Sequence, residues 1–322
     1  MTRAFVLSAC AAAAAVFVGA DHARAQLVIG NGSRQEPTYV VNLGTIRPST
    51  QFPVPANVAD STSFNLGASI WAMTADDPNR NIYFVDVGPL FAGADPTTNL
   101  YRMGYDTLGS AQLVGTIRDR SSGFDITMQG LAINTATGQM FGSHTVGGTP
   151  GEGFYELDFR NPVTVGGVPR VNADRRFQID TTTSEFNFAN LDYDPVTNRM
   201  YGIDDDDTGG RALYAIDVAG QALTPVVETP RNRRVENDFD GLATGGGKAY
   251  FVTDEPGFVY VYDLVNGGSF TDFLSPVQSD SGLFGGAAFA PGLIPEPAAF
   301  SLLAPAALAL LKRRGRERRL ID

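Results

Sequence analysis

Thr197-Asn198-Arg199-Met200-Tyr201 and, a little further on, Leu213-Tyr214-Ala215-Ile216 are the two stretches whose recurrence decides the fold. The first is a polar turn running into an apolar, aromatic strand. It returns as Asn79-Arg80-Asn81-Ile82-Tyr83, Thr137-Gly138-Gln139-Met140-Phe141 and Gly246-Gly247-Lys248-Ala249-Tyr250. The second is a strand centred on tyrosine, and it returns around Tyr101, Tyr155 and Tyr260. The aromatic residues of the first recur at intervals of 58, 60 and 49 residues, and those of the second at 54, 59 and 46. Two landmarks that drift together mark a true internal repeat, and a period near fifty residues indicates an array of supersecondary units.

Each unit holds two further strands. A small-residue strand precedes the first landmark, as in Gly130-Leu131-Ala132-Ile133, Asn190-Leu191-Asp192-Tyr193 and Gly241-Leu242-Ala243. A fourth strand follows the second, as in Gln112-Leu113-Val114-Gly115 and Thr224-Pro225-Val226-Val227. Aromatic and β-branched residues alternate at period two, and Gly, Asn and Asp punctuate the runs, so four short strands per unit read as a propeller blade. Gly285-Gly286-Ala287-Ala288-Phe289 begins a further unit that the chain does not complete. Leu27-Val28-Ile29-Gly30-Asn31 and Thr38-Tyr39-Val40-Val41-Asn42-Leu43 resemble the second and third strands of a unit that has no first. Joining these ends removes the open sheet edges. The expectation is an all-β fold, a β-propeller of five blades with four strands each, the fifth closed by N- and C-terminal strands. A sixth blade has no sequence to make it, and a β-sandwich does not explain so long a period. The pattern resembles the propeller repeats of secreted bacterial proteins of undefined role. That resemblance concerns architecture and implies no chemistry.

The two ends read as addresses. Arg3, the apolar run from Ala4 to Ala20 and Ala23-Arg24-Ala25 compose a signal peptide, residues 1–25, cut by signal peptidase between Ala25 and Gln26. Leu7-Ser8-Ala9-Cys10 has the look of a lipoprotein box, but too few apolar residues precede Cys10 and the apolar run continues past it. Cleavage removes the only cysteine, so the mature body, residues 26–294, has no disulfide. At the other end, Pro295-Glu296-Pro297 precedes an uncharged stretch from Ala298 to Leu311 and a basic cluster led by Lys312, Arg313 and Arg314. A stretch of that length is short for a ~30 Å hydrocarbon core, and the cluster holds its own end on the cytoplasmic side. Residues 295–322 resemble the PEP-CTERM sorting signal of Gram-negative bacteria. The resemblance implies an exosortase-type transpeptidase as partner, a transient stay in the inner membrane, and a final place at the cell surface or in the extracellular matrix. A plain C-terminal anchor is the alternative.

Stripped of both ends, the body carries 31 acidic and 16 basic residues, with Lys248 its single lysine. So negative a surface excludes nucleic acid and favours cations or basic partners. The absence of cysteine excludes thiol nucleophiles and Cys-bound zinc, and one histidine, His144, excludes multi-histidine metal centres. A Ser-His-Asp triad has no nucleophile elbow to use, so His144 is expected as an exposed residue of a glycine-rich loop. Carboxylates remain. Asp119, Asp125, Glu185, Glu236, Asp238, Asp240, Asp254, Glu255, Asp280 and the run Asp204-Asp205-Asp206-Asp207 are expected in loops at one mouth of the wheel. Asp204 to Asp207 form the candidate metal site, with Ca2+ the ion that oxygen ligands suit; the alternative is a solvated acidic turn. Two functions follow. One is a non-enzymatic binding or structural propeller that takes an extracellular polysaccharide or a basic surface protein. The other is a calcium-dependent hydrolase of lactonase or phosphoesterase type using axial carboxylates such as Asp192, Asp194 and Asp240.

Overall fold

The computed structural model describes residues 25–32, 34–50, 56–87, 98–145, 151–179, 186, 188–204, 212–230, 239, 241–253, 257–276 and 284–293. Residues 1–24, Pro295-Glu296-Pro297 and the basic cluster Lys312-Arg313-Arg314, on which the expected leader and sorting signal rest, lie outside them. The described residues are almost wholly β, and among them no helix is long and apolar enough to cross a membrane.

The chain opens with β1 (Gln26–Asn31), β2 (Thr38–Ser49) and β3 (Ala56–Phe64). A first repeat follows as β4 (Ile70–Asp76), β5 (Asn81–Val87), β6 (Thr98–Gly104) and β7 (Ala111–Asp119). The second comprises β8 (Gly130–Asn134), β9 (Gln139–His144), β10 (Gly153–Leu157), a short β11 (Val163–Val165) and a long β12 (Val168–Gln178). The third holds β13 (Phe188–Asp194), β14 (Arg199–Asp204), β15 (Ala212–Asp217) and β16 (Ala222–Glu228). The fourth holds β17 (Gly241–Gly245), β18 (Lys248–Val252), β19 (Phe258–Asp263) and β20 (Thr271–Leu274), and β21 (Phe284–Ala290) ends the described chain. Every landmark strand of the sequence analysis is thus a strand, in its expected place within its repeat.

β21 pairs antiparallel with β1, and the closing sheet runs β21-β1-β2-β3. Leu27 stands opposite Phe289, and Ile29 opposite Tyr39, so the two chain ends share one sheet as expected. The innermost strands β4, β8, β13, β17 and β21 touch one another in ring order. The architecture is a closed β-propeller.

Packing follows the strand period. Both faces of each sheet are apolar, because alternate residues of a strand point to opposite neighbours. In β1, Leu27 and Ile29 pack with Tyr250, Val252 and Phe273 of the preceding sheet, while Val28 packs with Ile70, Met73 and Phe84 of the following one. Five such clusters separate five four-strand antiparallel runs among the described residues. Of the repeated aromatic residues, Tyr83, Tyr155, Tyr201, Tyr250 and Tyr260 are buried in them, and Tyr101, Phe141 and Tyr214 pack half-buried against them.

Counting by hydrogen bonds gives a different number, because two runs fuse. β7 pairs parallel with β12, making one nine-stranded sheet beside three of four strands. No repeat landmark marks this seam. It forms where Gly115 lets the neighbouring backbone approach: a Cβ there would lie about 3.0 Å from the Pro169 carbonyl. The Arg118 guanidinium donates across the seam to Asn172 Oδ1 at 3.1 Å.

Candidate functional site

The connection from first to second strand is short in every repeat, and these turns bring the inner strand ends together at one face. Gly246 and Gly247 link β17 to β18 with φ of 62° and 75°, a pair of left-handed conformations that a two-residue hairpin requires. Asn198 takes φ 55° where the turn after β13 enters β14. This tight-turn face holds a cavity of about 740 Å³. Its walls come from the inner strand ends (Asp77, Thr135, Asp192, Pro195, Gly245, Pro291) and from the gap between the closing sheet and the fourth repeat. Tyr250 and Phe289 stack across that gap, with ring centroids 5.8 Å apart and planes 16° from parallel. Leu43, Ile46, Val261 and Phe273 make the wall largely apolar, and Lys248 stands at its rim.

Asp192 sits at the inner end of the cavity with its carboxyl buried. Its Oδ1 accepts from Thr74 Oγ1 at 3.2 Å and its Oδ2 from the Thr244 backbone N–H at 2.6 Å. Thr74 Oγ1 in turn accepts from the Ile133 N–H at 3.2 Å. One carboxyl therefore links β4, β8, β13 and β17 around the axis. Burial pushes its pKa up to about 8, and the bonds from Thr244 and Thr74 only partly offset this. Asp194 is buried too and spends both oxygens on turns: Oδ1 accepts from the Gly247 N–H at 3.0 Å and Oδ2 from the Thr197 N–H at 2.8 Å. Asp240, the third proposed axial acid, lies outside the described residues. No group of three His, Cys, Asp or Glu side chains among the described residues is placed to hold a metal ion.

Glu185, Asp205, Asp206, Asp207, Glu236, Asp238, Asp254, Glu255 and Asp280 all lie outside the described residues. Asp204 is described, and it corrects one expectation: it is the last residue of β14, opposite Phe188 and Ala212 and fully buried, so the acidic run does not begin as a solvated turn. Asp119 accepts from Ser121 Oγ at 2.6 Å and the Ser122 N–H at 2.7 Å. Burial alone would raise its pKa, but these bonds outweigh it and hold the group below the usual carboxylate range. Asp125 pairs with Arg170 at 2.7 Å.

His144 corrects a second expectation. It ends β9 and is buried edge-on to Tyr155, with Nδ1 2.7 Å from the Thr127 carbonyl, which assigns the proton to that nitrogen. Burial lowers its pKa, so the ring is neutral. The exposed-loop reading failed because Gly142 and Ser143 continue the strand: a Cβ on Gly142 would lie 2.8 Å from Met128 Sδ, and the Ser143 hydroxyl donates to the Phe188 carbonyl at 2.8 Å. Trp71 packs on the core and donates from Nε1 to Ser69 Oγ at 3.2 Å.

Ala25 and Gln26, the residues flanking the expected leader cleavage, are described and buried. The Ala25 carbonyl accepts from the Leu43 N–H at 3.1 Å, and Gln26 pairs with both Asn42 and Ala290. Sequence reasoning missed the cavity, since its apolar wall is assembled from residues that each read as ordinary core.

No protein-family model matches the chain, and no curated protein matches it. Among solved structures, the chain is similar to one in a nidogen/laminin complex, at 12% identity and TM-score 0.46 over 83% of this chain and 98% of that one. It is also similar to the periplasmic gluconolactonase of Pseudomonas aeruginosa, at 15% identity and TM-score 0.36 over 80% of this chain and 71% of that one. The apo AztD structure from Citrobacter koseri is similar at 9% identity and TM-score 0.34, over 83% and 98% of the two chains.

Proposed function

We propose that this chain is an exported, surface-sorted β-propeller that binds an extracellular polysaccharide or a basic surface protein and performs no covalent chemistry. In this reading signal peptidase removes residues 1–25, and an exosortase-type transpeptidase processes the chain near Pro295-Glu296-Pro297 after a transient stay in the inner membrane. The observation that carries the non-enzymatic part is the state of the axial carboxyls. The Asp192 carboxyl is buried and tied to two other inner strands, and that of Asp194 closes two turns. Both carboxyls hold the inner strands and turns together, and among the described residues they are not joined by a third acid that would complete a metal site. Binding falls to the acidic linking sequences, where Asp204 to Asp207 would take calcium as a structural ion.

The test uses purified residues 26–294 with calcium present. The expected result is no turnover of lactones, phosphate esters or glycosides, together with retention of selected glycans or basic proteins on an array. Turnover that disappears with chelator would overturn the reading in favour of a metal-dependent hydrolase.

A further inference from the structure

The cavity on the tight-turn face joins an apolar slot to a buried polar end. Its volume of about 740 Å³ lies within the range of about 300–1,000 Å³ usual for small-molecule sites. Leu43, Val261 and Phe273 stand beside the stacked rings of Tyr250 and Phe289. Ile46, 40% exposed, adds a solvent-reached apolar side chain to the same wall. An alkyl or aromatic body that enters here leaves water for a surface of matching character.

The inner end is polar and has no positive charge beside it. Asp192 and Thr244 line it and are 4% and 3% exposed. The Asp192 carboxyl accepts from neutral donors, the Thr74 hydroxyl and the N–H groups of Thr244 and Tyr193, while Asp194 adds a second negative charge nearby. A carboxyl buried without a counter-ion is disfavoured in its charged form, and the pKa of about 8 reflects this. Thr244 Oγ1 is also buried, and among the described residues it has no hydrogen-bond partner. Buried polar atoms are seldom left so, and this one belongs to a residue whose N–H already holds Asp192.

Charge decides which ligand suits the site. Of the charged residues that line the cavity, Asp77, Asp192 and Asp272 are acidic, and Lys248 at the rim is the single base. A carboxylate or phosphate meets net repulsion there, and a cation meets attraction.

We propose that this cavity binds a small amphipathic amine, its ammonium group donating to the Asp192 carboxylate and to Thr244 Oγ1, its apolar body lying along the Tyr250–Phe289 wall. The ammonium supplies the opposite charge that the carboxyl lacks, and its three N–H donors serve both oxygen-bearing groups. The site is separate from the acidic linking sequences and does not depend on how the chain is sorted.

Residues 25–294 contain every described strand and the whole cavity wall. Titration calorimetry on them at neutral pH compares decylammonium, decanol and decanoate below their aggregation concentrations. Salt at about 0.15 M screens diffuse attraction to the acidic surface. Decylammonium should bind at one site, tighter than either other probe by about ten-fold or more. Asp192→Asn should bring decylammonium to the level of decanol. Thr244→Val, nearly isosteric, removes only the unpartnered hydroxyl and should weaken decylammonium several-fold even if the Asn variant does not fold. Thr271→Trp fills the slot from an exposed position opposite Val261 and should weaken decylammonium by about ten-fold without touching either polar group. Absence of one-site binding, or decanol or decanoate bound as tightly as decylammonium, overturns the proposal. So does decylammonium affinity that survives Thr244→Val and Thr271→Trp unchanged, which would mark diffuse attraction to an acidic surface.

Discussion

The Asp192 carboxyl and the Thr244 backbone N–H, 2.6 Å apart, join the inner strands of two consecutive repeats at the axis of the wheel. Through Thr74 the same carboxyl reaches β4, and through the Thr74 hydroxyl it reaches β8. A carboxyl that stays protonated when folded and ionises when unfolded makes stability depend on pH.

The unfolded chain releases the Asp192 proton near pH 3.8 and the folded one near pH 8. Stability from this group is thus complete below pH 3.8 and falls as pH rises towards 8, by on the order of a few kcal/mol. Asp192→Asn, whose Oδ1 can still accept from the Thr244 N–H while its NH2 donates to Thr74 Oγ1 in place of the bond now accepted there, should flatten that slope in melting temperatures measured from pH 4 to 8. Asp192→Leu should lose about 1–3 kcal/mol for each orphaned partner. An unchanged slope in the Asn variant would refute the assignment.

His144 acts with the opposite sign. Its folded pKa lies below the ordinary 6.5, so its contribution is present above pH 6.5 and is lost as pH falls through the folded value. His144→Phe should remove this acid limb at a cost of about 1 kcal/mol for the lost bond to Thr127. Denaturant titrations at pH 5 and pH 7.5 would read it: the gap between the two midpoints should narrow in the variant.

Crowding at the axis sets a third expectation. A Cβ on Gly285 would fall well inside van der Waals contact with the Ile70 carbonyl oxygen of the adjacent inner strand. Backbone cannot step aside as a flexible side chain can, so Gly285→Ala should destabilise by about 3 kcal/mol or more. Gly67→Ala, with open space around it but φ of 63°, should cost only about 1 kcal/mol of backbone strain. Chemical denaturation of the pair separates the two effects.

Closure supplies the fourth. A chain ending at residue 283 lacks β21 and exposes the edge of β1, along with Leu27 and Ile29. It should lose cooperative unfolding and bind a hydrophobic dye, and a peptide spanning residues 284–293 should restore part of the transition. A truncated chain that melts like the parent would show that the ring does not depend on its last strand.

The repeat made the wheel legible in the sequence. Tyrosines and small residues recur because every sheet meets the same two neighbours, so one packing problem is solved again in each repeat and leaves a periodic trace. The pairing of Leu27 with Phe289 was legible for the same reason, since each end is an incomplete copy of the motif. Three things were left to the tertiary structure. The β7–β12 seam closes beside Gly115, a glycine that resembles many others in the sequence. His144 and Asp204 read as loop residues because burial is a property of what packs against a strand end, not of the strand end itself. The cavity and the shared exit of both termini arise where separately ordinary residues converge from repeats far apart in the chain, and a one-dimensional pattern does not carry that convergence.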